Sequence, residues 1–117
     1  MVLQAKDLMV GDWVKVKSTQ KQVKVKEIKQ SCIYTEDNGY EYSEIESILL
    51  TPDILEKNGW SNETFNRRQE WWLDKTKFPI TRYSTDGILQ HNGIILKYVH
   101  RLQQALKVCG FEKQIEL

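Results

Sequence analysis

The stretch Leu50-Thr51-Pro52-Asp53-Ile54-Leu55-Glu56-Lys57-Asn58-Gly59-Trp60 carries a complete start and stop for a helix of about two turns. Thr51 is an N-cap, and Pro52 sits at the first helical position, where its missing N–H costs nothing. Asp53 favours the positive end of the helix dipole. Gly59 supplies the left-handed residue that ends the turn, and Trp60 folds back on Leu55 as the apolar contact of a Schellman motif. A helix this short has no stability of its own, so Ile54, Leu55 and Trp60 must dock it on something. It therefore divides the chain into residues 1–50 and 51–117.

The residues before it read as short strands. Val14 and Val16 share one face with the Asp12 position, Val23 and Val25 restart the alternation, and Lys24 and Lys26 fall on the other side. Ile28 breaks the phase, which fits a bulge or a change of face. Cys32–Thr35 and Tyr40–Tyr42 flank Asn38-Gly39, a strong hairpin signal, and Ile45, Ile48 and Leu49 close the set. Strands this short with tight connections fit a small SH3-like β-barrel over residues 1–50, in which closure removes exposed edges.

Residues 51–117 fit an antiparallel meander packed against a C-terminal helix, making the whole chain α+β. Phe65–Asp74 suits helix or strand, and its aromatic crowding favours a strand. Phe78–Ser84, Ile88–His91 and Ile94–Lys97 are further strands, separated by turn signals at Asp86-Gly87 and Asn92-Gly93. From residue 98 to 109, Val99, Leu102, Leu106 and Cys109 recur at helical spacing, with Ala105 beside them. Gly110 stops this helix and Phe111 clamps it. The alternation of Ile115, Glu116 and Leu117 fits an added edge strand.

Charge excludes little globally but is unevenly placed. The net charge is +1 over 117 residues. Residues 1–29 hold seven lysines against Asp7, Asp12 and Glu27, whereas 36–56 hold seven acids and no base. Such a dipole orients an encounter with a partner, and it is equally the ordinary content of solvated sheet faces. No run reaches bilayer-spanning length, no signal-peptide core is present, and two cysteines cannot make a disulfide framework. A soluble, cytoplasmic protein is expected.

Three stretches carry a resemblance: Gly11-Asp12-Trp13-Val14, the Leu50–Trp60 run, and Tyr98-Val99-His100-Arg101-Leu102-Gln103. Together they resemble the marks of a family of small uncharacterised proteins of gut Bacteroidetes, found in prophages and conjugative elements. Family members usually carry Phe or Leu where this chain has Trp60. The resemblance implies an architecture and a mobile-element setting, with no catalytic residue to carry over.

No compact set of residues has the makings of a reaction centre. His91 precedes a turn, and His100 has no acid or thiol within a helical turn. Cys32 and Cys109 read as small hydrophobes, with no neighbouring base to lower either thiol. No catalytic residue, metal site or cofactor is assigned. A zinc site is conceivable only if His91, His100 and Cys109 meet in space.

The residues suited to binding are Trp13, Arg67, Arg68, Trp71 and Trp72, because Arg and Trp are common anchors of protein contacts. In a strand Trp71 and Trp72 face opposite sides, so one of them needs a cover beyond the meander core. The expected function is a non-enzymatic protein-binding or adaptor protein of a mobile element, acting on an unidentified protein or on itself. The alternative is nucleic-acid binding through Lys15, Lys17, Lys24 and Lys26 with Arg67 and Arg68.

Overall fold

The computed structural model describes residues 3–65, 68–73, 78–83 and 88–117. The Asp86-Gly87 turn signal and Arg67 lie outside them. The protein is α+β, with antiparallel sheets and a helix near the C-terminus. It forms two compact units: Met1–Ile48 with Tyr98–Gln104, and Leu49–Lys97 with Ala105–Leu117.

In the first unit, β1 (Trp13–Val16) lies between β2 (Gln22–Lys24) and β6 (Ile45–Glu46), and β4 (Cys32–Tyr34) lies between β3 (Glu27–Ile28) and β5 (Gly39–Glu41). The result is two three-stranded sheets, with no closed barrel among the described residues. Ile28, read as a break of phase, lies in β3, after the chain has left β2 at Val25 and Lys26. Val14 faces Val23 across the first ladder, Val16 faces Ile45, and all four are buried with Leu3, Leu8, Val25 and Ile33. At the β4–β5 hairpin Gly39 stands opposite Tyr34. A Cβ there would come within 2.9 Å of the Tyr34 ring, so the aromatic side chain lies across the space that glycine leaves.

The second unit begins with α1 (Pro52–Lys57). Its Thr51 Oγ1 accepts from the Ile54 N–H at 3.3 Å, and Gly59 takes φ 97° to end the helix. Both Leu55 and Trp60 are buried, as the clamp requires. The chain then enters β7 (Trp60–Phe65), which the sequence reading did not contain. With β8 (Arg68–Leu73), β9 (Ile80–Tyr83), β10 (Leu89–His91) and β11 (Ile94–Ile95) it makes a five-stranded antiparallel sheet in sequential order. The expected meander had four strands. The fifth arises because the polar run Ser61-Asn62-Glu63 pairs with Trp72-Trp71-Glu70, a tertiary pairing that overrides weak local preference. Asn92 and Gly93, at φ 48° and 82°, make the tight β10–β11 turn.

Helix α2 (Val99–Val108) buries Val99, Leu102, Ala105 and Leu106. The Phe111 N–H donates to the Leu106 carbonyl at 2.9 Å around Gly110, completing the expected Schellman stop. Cys109 is exposed, contrary to the expectation of a buried thiol. The helix ends at Val108 and the chain reverses, so Phe111 packs inward, its ring 5.6 Å edge-on from that of Phe78. The tail is not a strand. Asn58 holds it instead: its Oδ1 accepts from the Glu116 N–H at 2.7 Å and its Nδ2 donates to the Glu116 carbonyl at 2.8 Å. Among the described residues no helix is long and apolar enough to cross a membrane.

Candidate functional site

The residues singled out from sequence do not form one site. In the first unit, Trp13 and Lys15 lie on the outer side of β1, because Val14 and Val16 take the inner side. Lys24 pairs with Trp13 across the ladder and sets its Nζ 5.1 Å from the indole centroid, a cation–π contact. Lys15 Nζ lies 3.4 Å from Glu46 on the adjoining strand, and Lys21 lies 3.4 Å from Asp37. Trp13, Lys24 and Lys26 line a groove of about 190 Å³, but Lys21, Glu36 and Asp37 line it as well. Its charge is mixed, and it is smaller than the usual ligand cavity of about 300–1,000 Å³. Lys17 is exposed on the turn after β1, outside that groove.

In the second unit, strand alternation separates the two tryptophans as expected. Trp71 is fully buried, opposite Ile80, with the Arg82 guanidinium 5.2 Å from its ring centroid. Trp72 points to the other face and is 40% exposed. Along that outer face Arg68 pairs with Glu70 at 3.1 Å, and the Trp72 Nε1–H donates to Glu70 at 3.1 Å. The chain has thus used the Arg and Trp of this patch on one shared carboxylate.

The apolar surface lies elsewhere. Leu49, Leu50, Ile88, Leu89, Ile95 and Leu96 line a hollow of about 400 Å³, and Lys97 is the charged residue in its lining. Leu49, Ile88 and Ile95 are exposed there, Ile95 to 58%. Ile94, its neighbour on β11, is exposed too. Register explains the clustering. Ile95 pairs with Gln90, and the Leu96 N–H donates to the Leu89 carbonyl at 2.8 Å, so the hairpin sets these aliphatic side chains beside one another. The Leu50 N–H donates to the Lys97 carbonyl at 2.9 Å and brings Leu49 and Leu50 alongside. Sequence reasoning passed over this hollow. Its only sequence signal was Ile94-Ile95 directly after the Asn92-Gly93 turn, where an exposed pair of β-branched side chains is unusual at a sheet edge.

The two histidines serve different surroundings. His91 Nδ1 lies 2.7 Å from the Pro79 carbonyl, and its ring stacks on Phe78 with centroids 3.7 Å apart. His100 is fully buried in the other unit, stacked on Tyr98 at 5.7 Å, and neither ring nitrogen has a hydrogen-bond partner. Burial pushes its pKa down to about 4; Arg101 adds to the depression and Asp7 opposes it. Among the described residues no three His, Cys, Asp or Glu side chains gather as metal ligands.

Two of the stretches noted in the sequence meet in the first unit. Gln103 clasps the entry to β1: its Oε1 accepts from the Trp13 N–H and its Nε2 donates to the Gly11 carbonyl, each at 2.8 Å. Gln104 Nε2 donates to the buried Asp12 carboxylate at 2.8 Å and to the Asp7 carbonyl at 2.9 Å. Comparison with family models, with curated proteins and with solved structures finds no match to this chain.

Proposed function

We propose that the chain is a non-enzymatic protein-binding module whose docking surface is the aliphatic hollow of the five-stranded sheet. One observation carries the reading: Leu49, Ile88 and Ile95 are held exposed around a hollow of about 400 Å³ by hydrogen-bonded backbone. Contiguous exposed apolar side chains mark interaction sites more often than chance, and a hollow of this size accepts the anchoring side chain of a partner. The partner is another protein or a second copy of this chain.

An SH3-like description of the first unit is part of the same reading. It is supported by the strand order β2-β1-β6 and β3-β4-β5 and by the 3₁₀ turn Tyr42–Glu44 ahead of β6. The mobile-element setting is supported by the sequence resemblance alone. Nucleic-acid binding has less support: Lys15, Lys21 and Arg68 are each within ion-pair distance of an acid, and Lys24 lies over Trp13. A non-enzymatic reading is supported by the two histidines, one stacked on Phe78 and the other sealed from solvent.

Photocrosslinking in the native cell tests the proposal. A photoreactive residue in place of Ile95 is expected to give discrete protein adducts that Ile88→Glu abolishes, while the same probe at Lys24 gives none. Adducts at position 24 but not at 95 would overturn it.

A further inference from the structure

We infer that His100 is an acid-sensitive latch: a proton on its buried ring releases the first half of α2 from the entry to β1. The geometry rests on spacing along the helix. His100, Gln103 and Gln104 stand at i, i+3 and i+4, so they share one helical face. On that face Gln103 and Gln104 make the four contacts to residues 7–13 described above. His100 sits one turn ahead of them with no solvent exposure and two ring nitrogens that bond nothing. A neutral imidazole tolerates this poorly and an imidazolium hardly at all, since both of its N–H groups would then be buried donors.

The surrounding charges do not rescue the cation. Arg101, next along the helix, repels it. Asp7, on the 3₁₀ turn Ala5–Asp7, attracts it but lies 4.0 Å from the Arg101 guanidinium and also accepts from the Gln4 N–H. Asp12 already accepts from Gln104 and from the Met9 N–H. Tyr98 offers its ring face to the imidazole. Opening the latch exposes the ring to water, where it takes a proton readily.

The sign follows from linkage. The closed ring, at about 4, lies below the ordinary value of 6.5 that an opened ring would have. Closure is therefore most stable above 6.5 and weakens as pH falls from there towards 4. Opening is favoured about tenfold more at pH 5.5 than at pH 7.5, and on the order of 70-fold more at pH 4.5. Most of the effect thus arrives in mildly acid solution, well above the closed-state value.

Amide hydrogen exchange reads this directly, because the Trp13 N–H is bound by Gln103. After correction for intrinsic exchange, Trp13 protection is expected to fall about tenfold from pH 7.5 to 5.5. The Leu50 amide, in the other unit, is expected to keep its protection. In His100→Met the tenfold fall at Trp13 is expected to disappear. Trp13 protection that stays constant over this range, or falls equally in the variant, would overturn the inference. Should His100→Met not fold, the ring titration of the native protein decides: a midpoint near 6.5 with Trp13 still protected overturns the latch, and a midpoint below 5 supports it.

Discussion

The two units hold themselves together by different means. The first has an aliphatic core of Leu, Ile and Val, and its stretch of α2 is tied down by side-chain amides that bond backbone. The second buries Trp60, Trp71 and Phe78, with Phe111 set edge-on, and Asn58 clasps its tail. Directional hydrogen bonds fix geometry but are worth little net when intact and a great deal when one partner is removed. Aromatic burial is less directional and contributes more per residue. The first unit should therefore be the more sensitive to pH, through His100, and the second to loss of aromatic volume.

Substitutions can break this contrast, beginning with the largest effect. Trp71→Ala empties a fully buried site and is expected to cost about 3–5 kcal/mol, read from the urea midpoint. Asn58→Ala removes the clasp on the tail and leaves the Glu116 backbone groups unpaired. A loss of about 1–3 kcal/mol is expected, with greater exposure of Ile115 to exchange or proteolysis. Gln103→Ala, the counterpart in the first unit, should cost about the same while specifically accelerating Trp13 amide exchange. If Gln103→Ala proves neutral, the polar account of the first unit is wrong. Lowering pH from 7.5 to 5.5 should weaken closure around His100 by about 1.4 kcal/mol, visible as pH-dependent stability that His100→Met lacks. Ile95→Glu should change stability by no more than about 0.5 kcal/mol, since the side chain is largely exposed, yet remove the partner crosslinks of a photoreactive residue placed at Leu49 on the same hollow.

What was legible in the sequence was local. Thr51, Pro52 and Gly59 announced α1, and Asn92-Gly93 announced the β10–β11 turn, because capping and positive φ depend on the residues themselves. The burial of Val14, Val16, Val23 and Val25 followed from period-two alternation. Non-local polar contacts were not legible. Nothing in Gln103-Gln104 says that these amides reach Gly11, Asp12 and Trp13, about ninety residues away. Strand β7 escaped because Ser61-Asn62-Glu63 has little strand preference and is held by its pairing to β8. Binding was expected at Trp13, Arg67, Arg68, Trp71 and Trp72, the residue types that anchor contacts. The fold buries Trp71 and ties Trp72 and Arg68 to Glu70, while the exposed aliphatic cluster is assembled from two segments nearly forty residues apart in sequence.

The central claim, that this chain binds protein rather than nucleic acid, is tested most directly by anisotropy titration of short single- and double-stranded DNA and RNA at low salt. The account predicts no saturable binding, because the lysines of the first unit are interspersed with acids. Saturable binding that weakens steeply with added salt and is lost in Lys24→Glu would contradict it.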